Sequence, residues 1–519
     1  MDVLSNLFDG LVTVASPVNL LLLLAGVLVG MVIGIIPGLG PSAGIAILLP
    51  LTFGLDPTGA IVMLAAIYYG AMYGGTITSV LINTPGESAT VASTFDGYPL
   101  AKQGRAGPAL VLCALGSFAA GVMGAVLLSW LAPAFSQVAR RFGPPELFLV
   151  VMLGLLMLVV IVGGNRLYGS ISALIGFAVA TMGVDSSTGA QRYTFGSTDL
   201  INGIDFIPIA IGLFGIGELL HSLYQGQHRE ETRFVSVDTK SASFWPTARD
   251  WVESRGSMLR GSVLGFVMGV IPGAGATIAS LMSYSMEKSV SSTPERFGKG
   301  AMAGLVGPES ANNAASAGAM VPLITLGIPG SASTAVLLAA FLLYGLRPGP
   351  LLIEQNPEFV WGLIASMFAG NMMLVLLNIF AIPVFASFMK IPYRIVIPTV
   401  IVLCTVGTYT VNGSIVETWI MLGFGVVGFF MKRFGFSPAA TVVALVLGPL
   451  AEETLRQSLT ISRGSFAIFV NRPVSLGLLM SIILLIVAPL LWRLFGPKRP
   501  LLTAPAEAQD NLPFDSDAG

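Results

Sequence analysis

The stretch Gly26-Val27-Leu28-Val29-Gly30-Met31-Val32-Ile33-Gly34-Ile35-Ile36-Pro37-Gly38-Leu39-Gly40 returns near the middle of the chain as Gly261-Ser262-Val263-Leu264-Gly265-Phe266-Val267-Met268-Gly269-Val270-Ile271-Pro272-Gly273-Ala274-Gly275. Gly26, Gly30, Gly34, Pro37, Gly38 and Gly40 all find their counterparts at one offset of 235, the interval from 26 to 261. Glycine at every fourth position gives an apolar helix a smooth face that a second helix can approach closely. The Ile-Pro-Gly-x-Gly that follows stops the helix. Proline removes an amide donor and clashes with the preceding turn, while glycine allows backbone angles that other residues avoid. An element that occurs twice points to internal duplication, and duplication with broken helices in an apolar chain points to a secondary transporter.

Composition agrees with the class. Of 519 residues, 54% are hydrophobic and only 10% charged, where a soluble domain carries about 25% charged residues. The expected fold is an all-α polytopic membrane protein, embedded in a lipid bilayer. Apolar stretches of about 20 residues, each enough to cross a bilayer core of about 30 Å, recur along the chain, as at 18–36 and 474–492. The first of them lacks a basic n-region and runs directly into the repeated motif, which reads as a retained span rather than a cleaved signal peptide. Cys113 and Cys404 each lie inside an apolar run, as small buried hydrophobes do.

Charge placement divides the chain. The first 101 residues contain no Lys, Arg or His, which suits an external amino terminus. The longest polar interruption, 225–260, carries Arg229, Arg233, Lys240, Arg249, Arg255 and Arg260 and reads as a cytoplasmic loop. The expected organisation is a first half over 1–224, this connecting loop over 225–260, a second half over 261–497, and a short polar tail over 498–519 with a disordered composition. If the loop is inside, the second glycine helix starts from the cytoplasm and the first from outside. The halves are then repeats of inverted topology.

Each half breaks a second time. Leu81-Ile82-Asn83-Thr84-Pro85-Gly86-Glu87-Ser88 in the first is matched by Thr325-Leu326-Gly327-Ile328-Pro329-Gly330-Ser331-Ala332 in the second, with an offset of 244 from Pro85 to Pro329. The second half therefore holds nine more residues between its breaks than the first. Within that interval Gly307-Pro308-Glu309-Ser310-Ala311-Asn312-Asn313-Ala314-Ala315 places Glu309, Asn312 and Asn313 in surroundings too apolar for a surface loop. Such groups are costly there unless they face protein or a cavity.

Two Pro-Gly breaks per half, as interrupted helices or re-entrant hairpins, define a candidate site. After each break a half-helix can begin with unpaired amides and the positive end of its dipole exposed, which suits a carboxylate without any Lys or Arg in the membrane. The candidate substrate-binding residues are Pro37, Gly38, Gly40 and Ser42 at the first break, and Asn83, Thr84, Pro85, Gly86 and Ser88 at the second. Pro272, Gly273, Gly275 and Thr277 stand at the third, and Pro329, Gly330 and Ser331 at the fourth. Freed carbonyls with Asn and Ser/Thr oxygens suit a small hard cation such as sodium. Asn312, Asn313 and Glu309 are the candidate cation residues; Glu309 coordinates the ion, carries a proton, or simply pairs with its neighbours. Kinks also serve packing alone, but four breaks at paired positions are better explained by function.

Other polar residues read more plainly. Asp96, in the turn-like Phe95-Asp96-Gly97-Tyr98-Pro99, is expected to stabilise a loop. Lys102 and Arg105 read as a solvated pair at the membrane edge, and Glu452, Glu453 and Arg456 as an interfacial helix end with an intrahelical pair. His221 and His228 are expected to lie apart from the site. No phosphate-binding loop, zinc constellation or Ser-His-acid set is present, which argues against an ATP-driven pump or a membrane enzyme. A channel is the other rival, and nothing calls for a nucleic-acid partner or an organic cofactor.

The stretches Ile36-Pro37-Gly38-Leu39-Gly40-Pro41, Tyr68-Tyr69-Gly70-Ala71-Met72-Tyr73-Gly74-Gly75, Asn83-Thr84-Pro85-Gly86, Asp96-Gly97-Tyr98-Pro99, Pro308-Glu309-Ser310-Ala311-Asn312-Asn313-Ala314 and Leu326-Gly327-Ile328-Pro329-Gly330 resemble, in matching order, the large membrane subunit of the tripartite tricarboxylate transporters. The resemblance implies uptake of an organic carboxylate across the bacterial inner membrane. It also implies a small membrane subunit, a periplasmic solute-binding protein, and a sodium or proton gradient as driving force. A stand-alone organic-anion carrier is the alternative if those partners are missing.

Overall fold

The computed structural model describes residues 3–495 except 163–165, 186–187, 227–234, 236, 238–241, 274, 390 and 392. His228 and the expected polar tail over 498–519 lie outside the described residues. The first half begins with α1 (Val3–Val14), α2 (Pro17–Ile35), α3 (Gly40–Leu48), α4 (Pro57–Ile82), α5 (Val91–Lys102) and α6 (Ala106–Ala139). It continues through α7 (Pro144–Val162), α8 (Arg166–Ala180), a small antiparallel pair β1 (Gly183–Val184) and β2 (Gln191–Arg192), α9 (Phe206–Ala210), a π-helical stretch Ile211–Ile216, and α10 (Gly217–Gly226). The second half contains α11 (Ala248–Val270), α12 (Gly275–Val290), α13 (Met302–Leu326), α14 (Ala332–Leu343), α15 (Leu352–Gln355), α16 (Pro357–Phe380) and α17 (Ile382–Phe388). It ends with α18 (Tyr393–Asn412), α19 (Ile415–Arg433), α20 (Pro438–Ile461), α21 (Ile468–Asn471) and α22 (Pro473–Phe495).

The protein is an all-α polytopic membrane protein. Among the described residues, eight helical runs are long and apolar enough to cross a bilayer: α2, α4, α6, Phe206–Tyr224, α16, α18, α19 and α20. The outer helices expose large apolar side chains, including Val406, Trp419, Phe430 and Leu484, as a lipid-facing surface requires. The most enclosed element carries the polar motif. Every residue of 302–325 in α13 except Ala303 is buried, enclosed by α4, α5, α6, α11 and α12.

The repeated glycines seat α2 on α4 and α11 on α13. A β-carbon at Gly26, Gly30 or Gly34 would meet the carbonyl oxygens of Met63, Ile67 and Ala71 at 2.4, 2.5 and 2.2 Å. At Gly261, Gly265 or Gly269 it would meet those of Gly307, Ala311 and Ala315 at 2.3, 2.2 and 2.3 Å. The glycines correspond at offset 235 and their partners at 244, so the extra residues of the second half fall before these contacts. Both glycine helices then stop alike, on Ile36 (φ −80°, ψ 106°) and Ile271 (φ −81°, ψ 114°). α4 and α13 also stop alike, on Asn83 at φ 53° and Gly327 at φ 70°, left-handed positions that Asn and Gly tolerate best.

α11 and α12 fold back on one another across their break. Arg260 of α11 grips Glu287 of α12 with two hydrogen bonds, at 2.8 and 2.5 Å, a bidentate geometry that fixes orientation as well as distance. α11 starts at Ala248, under a capping box between Thr247 and Asp250. Residues 248–260, expected as loop, are therefore its first turns, because this cap satisfies the helix start well before the apolar run begins. Phe95-Asp96-Gly97-Tyr98-Pro99, expected as a turn, lies within α5, where α4, α6 and α13 enclose the helix. Cys113 and Cys404 are free and buried, as their apolar surroundings predict.

Candidate functional site

The four breaks converge on one cavity of about 700 Å³. From the sequence-predicted set, Gly38, Gly40, Ser42, Pro85, Gly86, Ser88, Gly273, Gly275, Thr277, Gly330 and Ser331 line it. Pro37, Asn83, Thr84, Pro272 and Pro329 do not. The prolines redirect the chain one residue before the lining glycines. Asn83 serves as the left-handed cap of α4, and the Thr84 hydroxyl is turned onto the carbonyl of Ile82 at 3.3 Å.

Close backbone approach explains why these positions are glycine. Gly38 has φ +93°, and a β-carbon there would lie 2.0 Å from the Ser222 hydroxyl. Gly273 has φ +83° and would drive a β-carbon to 2.6 Å from the Leu158 backbone. Both positions need the left-handed region and allow no side chain. The Gly273 N–H in turn donates to the Gly330 carbonyl at 3.1 Å, tying the two breaks of the second half together. The halves also meet directly, with the Ser88 and Thr277 hydroxyls 2.9 Å apart.

The half-helices after the breaks present their amino termini to the cavity. α3 contributes Gly40, Pro41 and Ser42, α12 contributes Gly275, Ala276 and Thr277, and α14 contributes Ala332 and Ser333. Ser331 caps α14, its hydroxyl accepting from the Thr334 N–H at 3.3 Å while the Thr334 hydroxyl accepts from the Ser331 N–H at 2.8 Å. At the matching position before α5 stands Glu87. Its carboxylate accepts from the Asn312 amide at 3.3 Å.

The three expected cation residues are placed differently from one another. Asn312 is fully buried and touches the cavity through Glu87. Asn313 donates its amide to Ser117 at 2.8 Å and to the Glu309 carbonyl at 3.0 Å. Glu309 is fully buried and accepts from the hydroxyls of Thr76, at 2.6 Å, and Ser93. Neither Asn313 nor Glu309 lines the cavity; each joins α13 to neighbouring helices.

The opposite wall comes from other elements: Leu158 of α7, Phe214 of the π-helical stretch, Glu218 and His221 of α10, and Lys432 with Gly435 to Ala439 around the α19–α20 junction. His221 thus belongs to the cavity, contrary to expectation, because the helix holding it packs against α19 and brings it under the first break. Lys432 forms an ion pair with Glu218 in this wall. A cation is therefore available to an anionic ligand beside the helix amides, where the sequence reading relied on amides alone. A charge within an apolar run was the signal for Glu218, whereas Lys432 stands beside Arg433 in the last turn of α19, where basic residues are ordinary. For Tyr68, which also lines the cavity, the only hint was its place in the Tyr-Tyr-Gly motif.

Charges expected at the surface are more engaged than expected. Arg105 pairs with Asp250 at 2.5 Å, while Lys102 lies over the Tyr98 ring at 4.5 Å. Arg456 and Glu452 form the intrahelical pair at 2.7 Å, extended by Asp185 and Arg192. Asp96 has the anchoring role that its position implied. Its carboxylate accepts from the N–H groups of Gly298, Gly300 and Ala301 at 2.9, 2.7 and 2.7 Å, fastening α5 to the loop before α13.

An apolar helical bundle whose interrupted helices end on an internal polar cavity is the architecture of a membrane transport protein. Residues 20–443 match the family model for the tripartite tricarboxylate transporter TctA family, and the chain belongs to that family. It is accordingly a multi-pass membrane transporter of the kind that forms the large subunit of tripartite systems. It is 42% identical, over 479 residues, to an uncharacterized 52.8 kDa protein in the TAR-I ttuC' 3' region of Agrobacterium vitis, covering 92% of this chain and 94% of that protein. A second relative is an uncharacterized protein in the TAR-II ttuC' 3' region of Agrobacterium vitis. It is 42% identical over 215 residues, covering 41% of this chain and 89% of its own length. No solved structure matches the chain.

Proposed function

We propose that this chain is the large permease subunit of a binding-protein-dependent tripartite system, taking up a carboxylate-bearing organic anion across the bacterial inner membrane. A cation gradient, sodium or proton, supplies the driving force. The partners are a small membrane subunit and a periplasmic solute-binding protein that delivers the substrate.

One observation carries the reading: all four Pro-Gly breaks open onto the same cavity of about 700 Å³, with the amino termini of α3, α12 and α14 directed to it. Each such terminus offers unpaired N–H groups and about half a positive charge to an anion. Lys432, paired with Glu218, adds a cationic group in the facing wall. The cavity lies between two sets of elements, the broken helices on one side and α7, α10 and the α19–α20 junction on the other. That division suits alternating access, in which a body carrying the breaks moves in an elevator-like manner against the second set. Halves of inverted topology suit such a movement, and the matching glycine contacts of α2 and α11 support the repetition on which that arrangement depends.

The test is uptake in proteoliposomes containing this chain together with the small membrane subunit and the solute-binding protein of its system. Radiolabelled di- and tricarboxylates are offered, with the sodium gradient and pH gradient imposed independently. Gradient-dependent accumulation of at least one carboxylate is expected. Accumulation no greater than in protein-free liposomes, for every carboxylate and either gradient, would remove the reading.

A further inference from the structure

The offset of 244 that relates Pro85 to Pro329 also pairs Tyr68 with Asn312 and Glu87 with Ser331. Tyr68 and Ser331 both line the cavity, and the Asn312 side chain hydrogen-bonds Glu87. These are corresponding pairs, each made of a residue on the long helix of one half and a residue at the break of the other. The surrounding helices repeat as well. α3 packs against α14, and α12 packs against the turn that leads into α5. The site is thus two half-sites of the same geometry.

Their chemistry differs. The Ser331 half-site holds neutral hydroxyls, the amino termini of α3 and α14, and Lys432. The lysine belongs here because its partner Glu218 lies beside Gly38, 4.0 Å from where a β-carbon would stand. Beside the Lys432–Glu218 ion pair, this half-site offers a ligand hydroxyls and helix amides as hydrogen-bond donors. In the other half-site, Glu87 places an ionisable carboxyl group where Ser331 has a hydroxyl. Its ionised form outweighs the roughly half positive charge of a helix start, so it attracts a cation and repels a substrate carboxylate.

Asn312 supplies the second observation. It is 0% exposed, and with its amide nitrogen donating to Glu87, its Oδ1 has no hydrogen-bond partner among the described residues. A buried acceptor left unpaired is costly. A carbonyl-type oxygen next to a carboxylate is the beginning of a donor set for a hard cation, and the Ser88 and Thr277 hydroxyls line the same cavity.

We infer that the half-sites are specialised: the half built on Glu87 and Asn312 holds a sodium ion, and the half built on Ser331, Tyr68 and Lys432 receives the substrate carboxylate. This rests on the transport reading above and divides its shared site into two adjacent ones. Holding both ligands on one set of breaks also explains coupling, since the cation neutralises Glu87 beside the incoming anion.

The experiment uses purified full-length protein in detergent, with sodium chloride replacing potassium chloride at constant ionic strength. Thermal stability and binding of radioactive sodium are measured. Wild type should be stabilised saturably by sodium and should bind it. Glu87→Gln and Asn312→Ala should lose the response or need at least tenfold more sodium, while Ser331→Ala and Lys432→Gln should keep it. The inference is overturned if wild type ignores sodium, if Glu87→Gln retains wild-type affinity, or if Ser331→Ala abolishes binding. Should Glu87→Gln fail to fold, Asn312→Ala decides by the same criterion. No transport is measured, so a negative result leaves the uptake reading intact, and failed uptake beside intact sodium binding would remove that reading alone.

Discussion

Gly265 lies so close beneath Ala311 that a β-carbon on it would come within 2.2 Å of the Ala311 carbonyl oxygen. The contact sits at the middle of the α11–α13 crossing, and neither neighbour can yield, because both clashing atoms belong to helix backbone. Gly265→Ala must push the helices apart, at a cost typical of overpacking, about 1–3 kcal/mol. Gly423 in α19 has nothing within 4 Å, and alanine there should be neutral or gain about 0.5–1 kcal/mol from reduced backbone entropy. Thermal melting of the two purified variants should shift in opposite directions or, at the least, move down only for Gly265→Ala.

Asp96 concentrates three backbone donors on one carboxylate. Asp96→Ala leaves the Gly300 and Ala301 amides buried without that acceptor, and each stranded group costs about 1–3 kcal/mol. We expect a large fall in folded yield, read by size-exclusion profile, with Asp96→Asn intermediate because one acceptor oxygen survives. If Asp96→Ala melts like wild type, the anchoring role is wrong.

Lys432 tests whether a side-chain charge contributes to anion capture. A hydrogen bond to a charged group is worth about 1.5–3 kcal/mol, so Lys432→Gln should raise the substrate KM for uptake about 10- to 150-fold. Insertion should be unaffected, since the lysine and its partner Glu218 are both partly exposed to the cavity. Lys432→Arg should recover part of the loss. An unchanged KM in the glutamine variant would leave the helix amides as the whole anion site.

The legible part of the fold was the part written as repetition. The glycine spacing of 26–40 and 261–275 announced the helix crossings and the breaks, because a backbone approach tolerates no other residue and so leaves a pattern. The cavity's second wall left no such trace. Leu158 and Phe214 are ordinary apolar residues in apolar helices, Phe436 lies in the α19–α20 connection, and only tertiary packing brings them to the breaks. Glu218 was visible as a charge in an apolar run, but Lys432 stands beside Arg433 at a helix end, and the pairing of the two spans 214 residues of sequence. The boundary of α11 was missed for a local reason: its first turns are polar, and the cap at Thr247 defines it better than hydropathy does.

Asn312 and Asn313 are adjacent in sequence, of one chemical type, and both read as cation residues, yet α13 turns them to different neighbours. Asn313 is 3% exposed and its amide bridges Ser117 and the Glu309 carbonyl, so its loss loosens the α6–α13 contact. Asn312 joins Glu87 at the cavity and keeps an acceptor oxygen free. Asn313→Ala should therefore lower the melting temperature, by about 1–3 kcal/mol of stability, and leave the sodium concentration for half-maximal uptake unchanged. Asn312→Ala should raise that concentration at least tenfold. Measuring both variants at saturating substrate separates the roles, since a stability defect lowers the amount of working protein without moving its sodium dependence. A sodium shift in Asn313→Ala equal to that in Asn312→Ala would return both residues to one cation site, with α13 presenting them together in another conformation of the transporter.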